Sequence, residues 1–175
     1  MARSIILVLA MVALASSVSA QNCRQARKSP IFNQCDASWG ANRLGSSSTI
    51  CKVGCAMCSV ASGLAGAGKL INGKPANCGT FNHFMLSYSG YLGNLLVWSA
   101  ANRLGVVYEG QIESIAAIKD AVCKNKIVVL NVNQGGHWVL ATGVEGNSFI
   151  VNDSGYNRNS YPTNEVEVAS IYRLG

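Results

Sequence analysis

The spacing of apolar positions changes once along this chain, from a helical period to a strand period. Between residues 55 and 68 small and apolar residues dominate, and Val60 and Leu64 lie four residues apart before a glycine-rich stretch. This pattern predicts a tightly packed, buried helix that ends near residues 66–68. Shorter apolar patterns predict three further helices, over 80–88, 94–103 and 112–123.

From residue 126 onward, apolar residues alternate with others and β-branched residues take over, which is typical of strands. We expect strands over 126–132, 137–143 and 148–152, with a turn at 145–147 joining the last two, and a fourth strand over 166–172. Helices followed by a strand meander predict an α+β fold, in which N-terminal helices pack on a C-terminal antiparallel sheet.

The first twenty residues differ in kind from the rest of the chain. Arg3 gives a positive start, residues 5–14 form an apolar run, and small residues precede Ala20. This predicts a signal peptide over 1–20, because the run is too short for a membrane span of about 20 residues. We expect residues 21–175 to form one secreted domain, extracellular or in the lumen of a secretory vesicle, without stable membrane insertion.

Charge adds one exclusion to this picture. The chain carries a net charge of +6, and most of its basic residues are scattered rather than clustered. A nucleic-acid-binding protein concentrates them in a stripe with interleaved aromatic residues. The charge pattern therefore predicts no nucleic-acid partner.

Seven cysteines follow the predicted signal peptide, and an oxidising compartment favours their pairing. An odd number leaves at least one thiol over, so we expect six paired cysteines and one free. The candidates are Cys23, Cys35, Cys51, Cys55, Cys58, Cys78 and Cys123.

Cys55 lies where an irregular segment becomes the first predicted helix. The free N–H groups and positive dipole end of a helix start favour a thiolate, which makes the sulfur a nucleophile. A nucleophilic cysteine needs a base nearby. His137 opens a predicted strand after two glycines and suits that role, whereas His83, on a predicted helix, is expected to be an ordinary packed or surface histidine.

The predicted hairpin supplies a residue that could orient the base. A three-residue loop at 145–147 would place Val139 opposite Asp153, so that His137 and Asp153 are diagonal neighbours on one face of the sheet. A carboxylate in that place holds an imidazole in the required tautomer and stabilises its charged form.

Four segments, in this order, resemble the blocks of the C39-like peptidases, which have a papain-like fold. They are QCDASWG at 34–40, VGCAM at 53–57, GHWVL at 136–140 and VNDSGY at 151–156, and they span nearly the whole mature chain. The resemblance implies Cys55 as nucleophile, His137 as general base, Asp153 as the residue that orients it, and Gln34 as an oxyanion-hole donor, with no cofactor and no metal.

The chain departs from that family in two respects. Many members have Asp-Pro where this chain has Asp153-Ser154. Better-known members are fused to transporters and cut leader peptides after paired glycines, whereas this domain is expected to be secreted alone. The sequence predicts a secreted cysteine hydrolase, most simply a peptidase acting on a peptide or protein.

Three other interpretations fit part of the sequence. Cys55 and Cys58 form a Cys-x-x-Cys pair, which elsewhere marks thiol–disulfide exchange, although no βαβ order surrounds it. Cys51 adds a third possible zinc ligand, but a second ligand pair with suitable spacing is missing. A binding or structural protein could also keep the fold without catalysis.

One acceptor pattern for N-glycosylation, Asn152-Asp-Ser154, overlaps the candidate site. Neighbouring side chains of a strand point to opposite faces, so Asn152 is expected to point away from Asp153. We expect Asn152 to be buried or otherwise unglycosylated, because a glycan would crowd the site.

Overall fold

A seven-stranded antiparallel sheet organises the part of the chain that this computed structural model describes, residues 22–175. The predicted signal peptide lies outside the described residues. The strands, in chain order, are β1 (Cys23–Arg24), β2 (Val106–Ile112), β3 (Ile127–Val132), β4 (His137–Glu145), β5 (Ser148–Asn152), β6 (Ser160–Pro162) and β7 (Val168–Leu174).

The strand order across the sheet is β6-β5-β4-β3-β7-β2, and β1 pairs with the far end of β4. In the described part of the chain, three two-stranded hairpins lie outside this sheet. All six residues of the central strand β3 are buried, because helices cover both faces of the sheet there.

Within residues 22–175, four α-helices accompany the sheet: α1 (Ile50–Val53), α2 (Cys55–Gly66), α3 (Cys78–Ser87) and α4 (Ile115–Cys123). Helix α2 lies against β3 and β4, and its small residues let it approach closely. A Cβ atom on Gly63 would lie 2.5 Å from Cγ2 of Ile127, so this contact needs glycine.

The core has two parts, one on each face of the sheet. Ile127 and Val129 of β3 pack with α2 and α3, whereas Val128 and Leu130 pack with α4, as expected from alternating side chains. The observed fold therefore combines helices and an antiparallel sheet, as the sequence predicts, with α4 on the face opposite to α2.

The predicted elements match the structure best where the period is clear. The buried helix, the helix near residue 80 and the four predicted strands are all present within a few residues of their expected bounds. The predicted helix over 94–103 is wrong in its first part, which is the short strand Leu95–Leu96, and continues as the 3-10 helix Trp98–Leu104. Strand β2 was not predicted, and α4 begins only at Ile115 because Ser114 caps it.

Three disulfides connect six of the seven cysteines, and Cys55 is the free one. The pairs are Cys23–Cys123, Cys35–Cys51 and Cys58–Cys78. This confirms the expected count and indicates folding in an oxidising environment. Between residues 22 and 175, we find no helix with the length and apolar character that a membrane crossing requires.

Asn152 uses its amide nitrogen inside the fold. Its Nδ2 donates hydrogen bonds to the carbonyl oxygens of Ser29 at 2.8 Å and Pro30 at 3.3 Å. Because a glycan would be attached at this atom, we expect Asn152 to remain unmodified in a eukaryotic secretory host. Intact mass before and after glycosidase treatment measures this, and a glycan at Asn152 on correctly folded protein would contradict it.

Candidate active site

Cys55 is the first residue of α2, directly after a tight junction with α1. The junction depends on Gly54, where a Cβ atom would lie 2.4 Å from the carbonyl oxygen of Ile50. First-turn N–H groups have no acceptor within their own helix, so the backbone N–H of Cys55 is available. The Cys55 side chain is partly exposed, which leaves the sulfur open to a substrate.

His137 and Asp153 are in direct contact. Nε2 of His137 lies 2.7 Å from Oδ1 of Asp153, and the two residues are only 5% and 6% exposed. The loop before His137 is fixed by Asn131, whose Nδ2 donates to the carbonyl oxygens of Gly135 and His137 at 3.1 and 3.2 Å. Asn131 therefore fixes the backbone of His137, and Asp153 fixes its imidazole ring.

The hairpin that brings them together differs from the predicted one. The turn has two residues rather than three, since Glu145 pairs with Ser148, and the extra residue is Thr142, in a bulge of β4. A two-residue turn with one bulged residue contains as many residues as the predicted three-residue turn without a bulge. Leu140 consequently pairs with Asn152, the residue before Asp153, as the predicted loop also required.

Asp153 is surrounded by donors. Its Oδ1 accepts from the N–H groups of Gly155 and Tyr156, both at 2.9 Å, and its Oδ2 accepts from the hydroxyl of Tyr161 at 2.8 Å. Burial raises the pKa of Asp153, but these hydrogen bonds and the one from His137 together lower it below its ordinary value. Asp153 is therefore charged at neutral pH.

Tyr161 is a site residue that the sequence did not reveal. It is fully buried, and both its burial and its hydrogen bond to Asp153 raise its pKa, so the hydroxyl keeps its proton and donates. The guanidinium carbon of Arg158 lies 3.9 Å from the centre of its ring. A lone tyrosine in a short edge strand gives no sequence signal for this contact.

The imidazole of His137 faces Cys55 as well as Asp153. Burial lowers the pKa of His137, but the hydrogen bond to Asp153 and the neighbouring Asp153 and Cys55 groups together raise it to about 9. Since Nε2 is used by Asp153, Nδ1 is the nitrogen left for the thiol. A free cysteine beside an imidazole is a pair that can do nucleophilic chemistry.

Gln34 is bound to the residue that follows Asp153, since its backbone N–H donates to the carbonyl oxygen of Ser154 at 2.9 Å. Its Nε2 donates to the carbonyl oxygen of Cys51 at 2.7 Å, and its Oε1 accepts from the hydroxyl of Ser154 at 3.3 Å. An amide nitrogen has two N–H groups, so one remains for another acceptor. Ser154, at the position where many C39-like peptidases have proline, thus helps to orient Gln34.

Gly155 separates His137 from Gln34 and was not assigned a role from sequence. A Cβ atom there would lie 2.9 Å from Cε1 of His137 and 3.2 Å from Oε1 of Gln34. Both side chains would have to move, and small displacements at an active site can cost about a hundredfold in rate.

We therefore expect Gly155→Ala to lower the peptide hydrolysis that the sequence predicts by about ten- to a hundredfold, measured as kcat/KM. Gly79→Ala is the control, because a Cβ at this position of α3 meets no atom closer than 3.3 Å. Equal activity of Gly155→Ala and wild type would contradict the role of Gly155 as a spacer.

A cleft of about 450 Å³ opens beside Cys55. Trp138 contributes to its wall and also packs on Trp98, with ring centroids 4.8 Å apart, so it belongs both to the core edge and to the cleft. His83 is exposed on α3, in agreement with the expectation of an ordinary packed or surface histidine on a helix.

No protein-family model matches the chain, and no curated protein matches it. Among solved structures, the fold resembles a peptidase domain of the C39 type. The matching protein is a double glycine motif protease from an AMS/PCAT transporter, crystallised in complex with the leader peptide. The TM-score is 0.56 at 18% sequence identity, over 90% of this chain and 100% of that one. At this identity the similarity concerns the fold.

Proposed function

We propose that the protein is a secreted cysteine peptidase, with Cys55 as nucleophile, His137 as acid and base, Asp153 as the residue that orients His137, and Gln34 as an oxyanion donor. One observation carries the proposal. The free cysteine at the start of a helix lies next to an imidazole whose Nε2 is 2.7 Å from Oδ1 of the buried Asp153 carboxylate. This is the arrangement that activates a nucleophile.

In the proposed reaction, the Cys55 thiolate attacks the carbonyl carbon of a peptide bond. His137 then donates its proton to the leaving amine as the carbon–nitrogen bond breaks, which leaves an acyl group on sulfur. A water molecule, whose proton passes to His137, attacks the thioester and releases the acid. Asp153 keeps the imidazole oriented and stabilises its charged form throughout.

The oxyanion needs donors that are already in place. The remaining N–H of Gln34 and the backbone N–H of Cys55 are suited to this role, because each lacks a partner that it would have to give up. Ser154 and the Cys51 carbonyl hold the Gln34 amide in position before substrate arrives.

A peptide substrate is supported by the structural neighbour, which was crystallised with a leader peptide. Secretion is supported by the three disulfides and by the predicted signal peptide. The two thiol-based alternatives have less support, since Cys58 is bonded to Cys78 and Cys51 to Cys35. These bonds remove the partner thiol of an exchange pair and two of three zinc ligands.

The direct test is iodoacetamide labelling of the native protein without reductant, with the modified residue mapped by mass spectrometry. We expect Cys55 to be labelled selectively near neutral pH and more slowly in His137→Ala, which lacks the imidazole beside the sulfur. A Cys55 found in a disulfide, or labelled at the same rate in both proteins, would contradict the proposal.

The pH profile gives a second test. The pKa of His137 is raised from 6.5 to about 9, so the proton needed by the leaving amine is held below pH 9 and lost above it. We expect kcat/KM to fall as pH rises through about 9, and Asp153→Asn to move this limb to lower pH. A fall in kcat/KM near pH 6.5 in the wild type would show that the contacts of His137 do not raise its pKa in solution.

A further inference from the structure

The cleft beside Cys55 is built mainly from apolar groups. Its floor includes Leu44 and Met57, each only 1% exposed, and its walls include the aromatic rings of Tyr91, Trp98 and Trp138. Its volume of about 450 Å³ lies within the range of roughly 300–1,000 Å³ that is typical of ligand sites. Cys55 itself lines it, so any group in the cleft lies next to the nucleophile.

The rim of the cleft is also apolar. Leu95 lines it and is 72% exposed, although it lies on a short hairpin, Tyr91–Leu92 with Leu95–Leu96. The hairpin is held in place by Asn94, whose Oδ1 accepts from the N–H groups of Ser46 and Ser47 at 3.1 and 3.2 Å. Because the backbone of this hairpin is already fixed, Leu95 can contact a ligand without the entropy cost of ordering a loop.

Lys52 is the charged residue among those that line the cleft. It is exposed, and among the ion pairs formed within residues 22–175 none involves it. The chain as a whole is positive. An unpaired cation at the edge of an apolar cleft favours an acidic group on whatever binds there.

We propose that this cleft binds a large apolar side chain of the peptide substrate, with an acidic residue beside it, so that cleavage occurs next to residues such as Leu or Phe. The inference rests on the proposed function and adds the substrate class. A side chain in the cleft removes apolar area from water on both partners, whereas glycine leaves the cleft filled with water. Substrates with small residues at this position are therefore bound and cut less well.

Peptidyl chloromethyl ketones test the proposal without requiring turnover. In this reaction a carbon–sulfur bond forms on Cys55 and chloride leaves, and intact mass measures the rate. The probes carry Gly, Ala, Leu or Phe at the first or second position before the reactive group, and each rate is divided by that of iodoacetamide. We expect the Leu and Phe probes to react about tenfold or more faster than the Gly probe at one of these positions.

Two leucines of one hairpin give a matched pair of variants. Leu95 lines the cleft and Leu92 does not, yet they are Cα partners with 72% and 74% exposure, so neither supports the core. We expect Leu95→Ser to reduce the advantage of the Phe probe by about threefold or more, and Leu92→Ser to leave it unchanged. Equal effects of the two changes would overturn the assignment of the cleft.

The preference for an acidic residue is tested in a separate experiment. The Phe probe is made once with Glu and once with Lys beside Phe, and the Glu form is expected to react faster at low salt and to lose this advantage in Lys52→Ala. Equal rates for the two forms in the wild type would overturn the acidic preference.

The outcomes separate the two levels of the argument. Rapid iodoacetamide labelling that depends on His137, together with equal rates for Gly and Phe probes at both positions, would overturn the apolar cleft and leave the cysteine peptidase in place. Labelling by iodoacetamide that does not depend on His137 would overturn the proposed function, and the substrate class with it.

Discussion

Cys55→Ala is expected to reduce peptide hydrolysis by about three orders of magnitude or more, because it removes the group that forms the covalent intermediate. The measurement is kcat/KM on a peptide identified with the wild-type protein. The substitution removes one sulfur from a partly exposed position, so the free energy of unfolding should hardly change. Hydrolysis that survives in Cys55→Ala would exclude the proposed mechanism.

A companion variant separates hydrolysis from thiol–disulfide exchange. Replacing Cys58 and Cys78 together by alanine removes a buried disulfide but leaves Cys55, His137 and Asp153 in place. We expect the folded fraction of this variant, measured by circular dichroism, to retain hydrolysis. An exchange protein that uses Cys55 with Cys58 would lose its activity completely.

The Cys23–Cys123 disulfide is expected to contribute most to stability among the three. It links residues 100 positions apart, and the chain-entropy estimate for such a loop is about 4.7 kcal/mol. It also ties β1, which has only two residues and pairs with β4, to the end of α4. We expect Cys23→Ser with Cys123→Ser to lower the free energy of unfolding by about 3–5 kcal/mol and Tm by about 10 °C.

Denaturant unfolding without reductant measures this loss. The comparison is the Cys35→Ser, Cys51→Ser double variant, whose disulfide joins residues 16 positions apart and is worth about 3 kcal/mol by the same estimate. If removing Cys23–Cys123 lowers the free energy of unfolding no more than removing Cys35–Cys51, loop length does not determine the contribution of these disulfides. The chain-entropy explanation would then be wrong.

Local periodicity explains which parts of the fold could be predicted. Helix α2 has a continuous run of small and apolar residues, and β4 and β5 are apolar segments separated by the turn residues 145–147, so their positions were predictable from sequence. Strand β2 was missed because its sequence, VVYEGQI, interrupts the alternation at Gly110, where φ is +106° and the pairing with β7 shifts. Sheet order and disulfide pairing depend on contacts between distant residues, which no local pattern reports.

The candidate site was predictable to a similar degree. Residues Cys55 and His137 stand out by type and position, whereas Tyr161 and Gly155 act through contacts that form only in the folded chain. The contact between His137 and Asp153 was expected from a three-residue turn that does not exist, and the bulge at Thr142 supplies the same offset between β4 and β5. That expectation was right in its result and wrong in its cause.

The bulge at Thr142 also separates the turn of this hairpin from the candidate site. Its backbone carbonyl accepts from the N–H of Gln25 at 2.9 Å, so the extra residue has a place of its own beside the end of β1. An insertion or deletion in the lineage of this protein, if it falls between Ala141 and Ile150, can be absorbed by the bulge or the turn. The hairpin can therefore change length over evolutionary time while His137 keeps its partner.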